Sequence, residues 1–227
     1  VARLVAVADT SETRRAKAAA THPQAAVLQD LAPVLERTDV EAVVLATPAA
    51  THAGLAVEVL RSGRHVLVEK PLALSVDGAQ EVVETAEKSG LIAMVGHTFL
   101  YSDPVLELRR LVEAGELGPV RYVYSQRLSL GRIRDDVSAL WNFAPHDVSI
   151  LQFLLRQRPV EVSARGFSVL GSERDDVCFA SLLLEDGVAA NLHVSWLDPK
   201  KVRRMTLVGE NRMAIYDDVS VDQKVQL

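Results

Sequence analysis

Two short stretches hold residue types that can move protons. The first is VEKPL (68–72), where an apolar, strand-like run ends in Glu69, Lys70 and a proline. Proline fixes its own φ and restrains the residue before it towards extended geometry. Lys70 is therefore rigidly placed, able to donate a hydrogen bond to a substrate oxygen or to have its pKa lowered by burial. Glu69 can contact a cofactor sugar or pair with a cation. A surface ion pair beside a strand-ending proline has the same three residues. The second stretch is LWNFAPHDVSI (140–150), with Asn142 and His146 four residues apart. Pro145 suits a first helical turn, which sets His146 near a helix start whose positive end favours the neutral imidazole by about 0.3–1 kcal/mol. A neutral imidazole accepts a hydroxyl proton, the task of a general base. Asn142 can orient it or bond a substrate, and Asp147 can cap the helix. A core histidine beside a helix start is the other reading.

The elements around these stretches alternate over the first part of the chain. Strand-like runs at 3–9, 26–28, 41–47, 65–69 and 91–96 are separated by helical patterns at 11–22, 30–38, 51–63 and 75–90. Asp30, Thr51 and Ser75 are the expected N-caps, and Gly63 and Gly90 the expected stops. Apolar strands separated by helices predict a parallel sheet covered on both faces. Ligands bind such sheets at the carboxyl ends of the strands. Asp9, Thr47, Glu69, Lys70 and His97 all fall there.

From about residue 99 the pattern changes. A helix at 103–115, a half-buried strand at 120–131 and a helix at 145–157 precede five strand-like runs with no helix between them: 160–170, 177–185, 188–196, 203–209 and 212–217. Turns at Glu185-Asp186-Gly187 and Glu210-Asn211 join them as hairpins. The expectation is an α/β Rossmann-like parallel sheet over 1–98, followed over 99–227 by an α+β domain with a mostly antiparallel open sheet.

Composition narrows the function classes. The chain has 227 residues, 48% of them hydrophobic, enough for one large or two modest domains, and a formal net charge of −5. Basic residues are scattered, so no nucleic-acid partner is expected. The local group Lys200, Lys201, Arg203 and Arg204 reads as a solvated loop and strand start. The single cysteine, Cys178, excludes an internal disulfide framework and a cysteine-based zinc site, and reads as a small buried apolar residue. No metal site and no membrane span are expected. A cytoplasmic enzyme or binding protein is the default.

The combination of ADTSETRRAKAAA (8–20), ATPAATHAGLAVEVLRSGRHVLVEKPLALS (46–75), VGHTFLYSDPVLELRRLVEAGELGPV (95–120) and LWNFAPHDVSILQFLL (140–155) resembles the Gfo/Idh/MocA family of nicotinamide-dependent sugar and polyol oxidoreductases. The resemblance implies a Rossmann-like domain binding NAD(H) or NADP(H), and a second domain whose open sheet makes homo-oligomer contacts. It implies Lys70 near nicotinamide and substrate, and His146 as the proton-transfer residue. The family often has an aspartate where this chain has Asn142. An amide can orient an imidazole but cannot stabilise an imidazolium by charge, which leaves the position of the base intact and its strength open. Asp9 ends the family's second Rossmann strand, where a carboxylate accepts from ribose hydroxyls and repels a 2′-phosphate. That favours NAD, with NADP possible if Arg14 and Arg15 fold back. Thr47, Pro48 and His52 match the loop beside the cofactor, joined in that role by Glu69, Lys70 and His97. Lys70, Tyr101, Arg127, Arg134, Asn142 and His146 are the expected substrate contacts. Arg127, Arg132 and Arg134 either meet a substrate phosphate or carboxylate, or form a solvated strand end and loop. The implied reaction is hydride transfer between nicotinamide and a hydroxyl or keto carbon of a sugar, nucleotide sugar or polyol. The alternative is a non-catalytic cofactor- or sugar-sensing protein on the same fold.

The family opens with a strand and a G-x-G-x-x-G turn that cradles pyrophosphate, and it continues past the position of Leu227. No G-x-G occurs in these 227 residues. The expectation is an internal portion of the family pattern, lacking the first strand and the glycine-rich turn, and binding cofactor weakly on its own.

Overall fold

The computed structural model describes residues 2–131, 133, 137–171 and 173–227. The chain divides into two compact units, Val1–Gly96 and His97–Leu227.

The first unit alternates strand and helix: β1 (Ala6–Ala8), α1 (Glu12–Thr21), β2 (Ala26–Leu28), α2 (Ala32–Leu35), β3 (Ala42–Leu45), α3 (His52–Arg61), β4 (His65–Val68), α4 (Val76–Ser89) and β5 (Ala93–Val95). Every strand pair is parallel, in two sheets, β1-β2 and β3-β4-β5. β1 is shorter than the apolar run that contains it, since its partner β2 offers only three residues. Ser11 and Ser75 cap α1 and α4 by accepting from the Arg14 and Gly78 N–H groups. Gly90 ends α4 at φ +65°, a left-handed position that costs a glycine nothing. Two expected caps are corrected. α2 is a four-residue helix with Leu31 at its N-cap position, so Asp30 lies outside it. A 3₁₀ turn, Ala49–Thr51, precedes α3, and the Thr51 hydroxyl turns to Thr47 Oγ1 and the Pro48 carbonyl instead of capping. The core of this unit gathers Leu45, Ala56, Val59, Leu60, Val66, Val68 and Val82 between α3, α4 and the three-stranded sheet.

The second unit holds α5 (Asp103–Glu113), β6 (Val120–Leu128), α6 (Ala139–Leu155), β7 (Pro159–Phe167), β8 (Val177–Leu184), β9 (Ala189–Ser195), β10 (Val202–Gly209), β11 (Met213–Asp217) and β12 (Val225–Gln226). Its seven strands run in the order β12-β11-β10-β6-β9-β8-β7. All pairings are antiparallel except β6–β9, which is parallel. That pair is bridged by α6, β7 and β8, the long connection a parallel pair requires. Along β6, Val123, Ser125 and Arg127 are buried while Tyr122 and Tyr124 are exposed. The buried face packs with α5 and α6 around Leu108, Ile150, Leu151, Leu154, Leu192, Trp196 and Leu207. Cys178 lies in this core with a free thiol that burial pushes up in pKa.

α6 departs most from expectation. It begins at Ala139, capped by Ser138, and runs straight through Pro145. An interior proline forfeits one backbone hydrogen bond and costs roughly 3 kcal/mol. The buried row Ala139, Ala144, Ile150, Leu151 and Leu154 offsets this. We expect Ile150→Ala, which hollows that row, to lower the unfolding free energy by about 2–5 kcal/mol. Urea melts check this, and a loss under about 1 kcal/mol would show that α6 does not organise the core.

Candidate active site

In the first unit, Asp9, Thr47, Glu69 and Lys70 follow the carboxyl ends of β1, β3 and β4. The Asp9 carboxylate accepts from the Ser11 N–H (2.8 Å) and from Arg14 Nε (2.7 Å). The hydrogen bond to Arg14, with that to Ser11, holds its pKa below the usual carboxylate range. Arg15 Nη1 donates to the Asp9 and Thr10 carbonyls, both at 2.8 Å. Both arginines thus fold back onto the turn after β1. Two carboxylate oxygens offer about four acceptor sites, so Asp9 keeps capacity for the donor hydroxyls of a ribose. In this respect the residues present fit a dinucleotide. A further feature of that strand edge is Gly96, where a Cβ would crowd Glu69 at 3.3 Å.

His52 forms a brace between two loops. It is 1% exposed, and its ring nitrogens lie 2.7 Å from the Pro71 carbonyl and 2.8 Å from the Thr47 carbonyl. The imidazole ties the loop after β3 to the loop after β4, leaving neither nitrogen for a ligand. Thr47 and Pro48 are exposed, as is Glu69; Lys70 is half-buried, and its N–H donates to Glu69 Oε2 at 3.3 Å. The Lys70–Pro71 peptide is cis.

In the second unit, His97 precedes a 3₁₀ turn, Thr98–Tyr101. Tyr101 is 64% exposed. Asn142 and His146 are both half-buried on α6, one helical turn apart. His146 therefore lies inside a 17-residue helix, too far from its N-terminus for the dipole effect, which fades within the first turn. The Phe99 ring stands edge-on to the imidazole, with centroids 4.9 Å apart at 72°.

Two expected roles on this unit are overturned. Arg127 is not a solvated strand end. Its Nε and Nη2 donate to Asp147 Oδ2 (2.7 Å) and Oδ1 (3.2 Å), with both side chains 4% exposed. Asp147 is accordingly not a helix cap, and it also accepts from Ser125 Oγ at 2.7 Å. Arg132 and Arg134 lie outside the described residues. Of the basic group at 200–204, Arg203 and Arg204 start β10 and pair with Asp218 and Asp217. Sequence reasoning missed Ser125, Phe99 and the true place of Asp147. Alternation along β6, with Ser125 and Arg127 on the Val123 face, carried the signal.

Among the described residues, no three His, Cys, Asp or Glu side chains are grouped to hold a metal ion. No helix among them is long and apolar enough to cross a membrane.

A parallel strand–helix unit with polar residues at its strand ends, followed by an α+β unit with a seven-stranded sheet, is the plan of two-domain dinucleotide-fold proteins. Residues 1–97 match the model described as "Oxidoreductase family, NAD-binding Rossmann fold", and residues 105–215 match the GFO/IDH/MocA C-terminal domain. The chain belongs to the Gfo/Idh/MocA family. It is 29% identical over 180 residues to UDP-N-acetylglucosamine 3-dehydrogenase of Acidithiobacillus ferrooxidans, covering 79% of this chain and 56% of that protein. It is 36% identical over 172 residues to inositol 2-dehydrogenase of Rubrobacter xylanophilus, covering 74% and 49%. The crystal structure of the WlbA dehydrogenase from Bordetella pertussis, in complex with NADH and UDP-GlcNAcA, superposes with a TM-score of 0.89 at 25% identity, covering 99% of this chain and 72% of that one. The chain thus spans about half the length of these two curated relatives.

Replacing His52 by leucine should leave a loop carbonyl without its ring donor, at about 1–3 kcal/mol. Thermal and urea unfolding of the variant check this, and stability equal to the parent would remove the brace from the account.

Proposed function

We propose that this chain carries the cofactor and proton-transfer residues of an NAD-dependent dehydrogenase that oxidises a hydroxyl of a sugar, nucleotide sugar or inositol. The observation that carries the reading is Asp9, a carboxylate held ionised at the end of a parallel strand of a Rossmann unit. There it accepts from ribose hydroxyls and disfavours a 2′-phosphate, while Arg14 and Arg15, folded back onto the same turn, keep NADP as the second cofactor to test. A bound NAD would supply the acceptor for the hydride of the carbinol carbon. Lys70 donates a hydrogen bond to the substrate oxygen. His146 accepts the hydroxyl proton, steadied by Asn142. His97 and Tyr101 would line the nicotinamide and the substrate. A buried lone thiol and no disulfide fit a reducing cytoplasm.

The open face of the seven-stranded sheet is the proposed contact between copies. Tyr122, Tyr124, Phe167, Phe179 and Leu183 are exposed on this face of β6, β7 and β8, opposite the helices. Aromatic and apolar side chains exposed on one sheet face favour an interface there, although Ser181, Asn191 and His193 lie among them. The double variant Tyr124→Glu, Phe179→Glu should shift the mass in light scattering to the monomer, and an unchanged oligomer would move the interface elsewhere.

Fluorescence titrations with NADH and NADPH test the cofactor assignment. NADH should bind more tightly, and Asp9→Ser should move the ratio of affinities towards NADPH by about tenfold. An unmoved ratio contradicts the role given to Asp9. For turnover, His146→Asn should reduce kcat by about 10²–10⁴-fold, measured as NADH formation with inositols and UDP-sugars. Undiminished turnover would remove His146 from the chemistry.

A further inference from the structure

The Ser125–Arg127–Asp147 cluster lies directly behind the proposed base, and the reaction as described does not use it. Asp147 follows His146 on α6, and it locks that turn of helix to β6 through three hydrogen bonds from two strand residues. The Arg127 guanidinium, gripped by Asp147, sits 4.7 Å over the Phe99 ring. That ring in turn stands edge-on to the His146 imidazole. Arg203, paired with Asp218, approaches the same ring at 6.0 Å. Phe99 therefore touches a fixed cation and the imidazole at once. A cation over the face of an aromatic ring is attracted to its quadrupole, and an aromatic edge is a directional partner for a second ring. The guanidinium–carboxylate fork is planar and directional, and it fixes the helix turn in both rotation and translation. A buried ion pair is a poor device for stability, since apolar residues of similar volume commonly replace it without loss. Its distinctive contribution is geometry.

The geometry points to Asp147, Arg127 and Phe99 as positioning residues for His146. The ion pair sets the helix turn, and the phenyl ring, held by the same guanidinium, sets the tilt of the imidazole. This inference rests on the reading of His146 as the proton carrier, but one of its readouts does not depend on turnover.

The test compares the parent with Arg127→Met/Asp147→Leu, Arg127→Lys and Phe99→Leu in the protein as encoded. Isotope-labelled histidine allows the His146 ring resonances to be followed, assigned by their loss in His146→Asn. In the parent these resonances should carry the ring-current shift of Phe99. The shift should disappear in Phe99→Leu and collapse towards the free-histidine position in the double variant. Arg127→Lys keeps the charge but not the fork, and should restore only part of it. With NAD and whichever inositol or UDP-sugar is turned over, kcat should fall by about 10–100-fold in the double variant, while KM changes by less than about twofold. A folded double variant with the parental shift and parental kcat overturns the proposal. Should that variant fail to fold, Phe99→Leu decides alone, and an unchanged His146 resonance in it is equally fatal. Turnover unaffected by His146→Asn would defeat the base assignment instead, while the shift measurement still decides whether the cluster orients the ring.

Discussion

Two opposite charges, Arg127 and Asp147, sit almost without solvent between a helix and a sheet of the second unit. Bringing such groups out of water costs several kcal/mol each, and only close, multiply hydrogen-bonded geometry offsets it. The pair meets that condition through two guanidinium contacts and the Ser125 hydroxyl. Much of the local architecture follows from it. β6 must present Ser125 and Arg127 on its helix-facing side, so its tyrosines face outward. α6 must hold one register on the sheet, so it continues through Pro145 instead of starting there. The half-buried face with Asn142 and His146 then has a fixed direction.

The first unit solves a similar problem with a buried imidazole in place of an ion pair. Its polar residues lie in separate loops after separate strands, and loops drift unless something ties them together. His52 does so by reaching two main-chain carbonyls across the loops that hold Thr47 and Pro71. Placing the imidazole on the first turn of α3, buried against Ala56 and Val59 rows, makes the brace as rigid as the helix. Both units therefore hold their exposed or half-buried candidate residues from a buried polar group one layer behind.

Much of this was legible in the sequence. Ser75 and Gly90 framed α4 because cap chemistry is local. The antiparallel hairpins after residue 159 followed from short alternating runs and from Gly187, which accepts a positive φ. What failed was long-range. The parallel β6–β9 pairing depends on residues some seventy positions apart, and β12 is a two-residue strand that only its neighbour β11 defines. Pro145 misled because a proline reads as a helix start, whereas here burial of the turns on both sides of it outweighs the lost hydrogen bond. Arg127 misled for the opposite reason. Charge suggested solvent or a ligand, yet the alternation of β6 already assigned it to the buried face, where its partner had to be an acid. That acid stood next to the histidine in the PHD stretch.

The central claim is that the residues at these strand ends and on α6 serve hydride transfer. The most direct measurement is the fate of a deuterium label at the carbinol carbon of an inositol or UDP-sugar that the protein oxidises in the presence of NAD. The account predicts deuterium on the nicotinamide ring of the reduced cofactor and none released to solvent. Deuterium in the water, with the nicotinamide unlabelled, would contradict it and assign the site to proton abstraction from carbon.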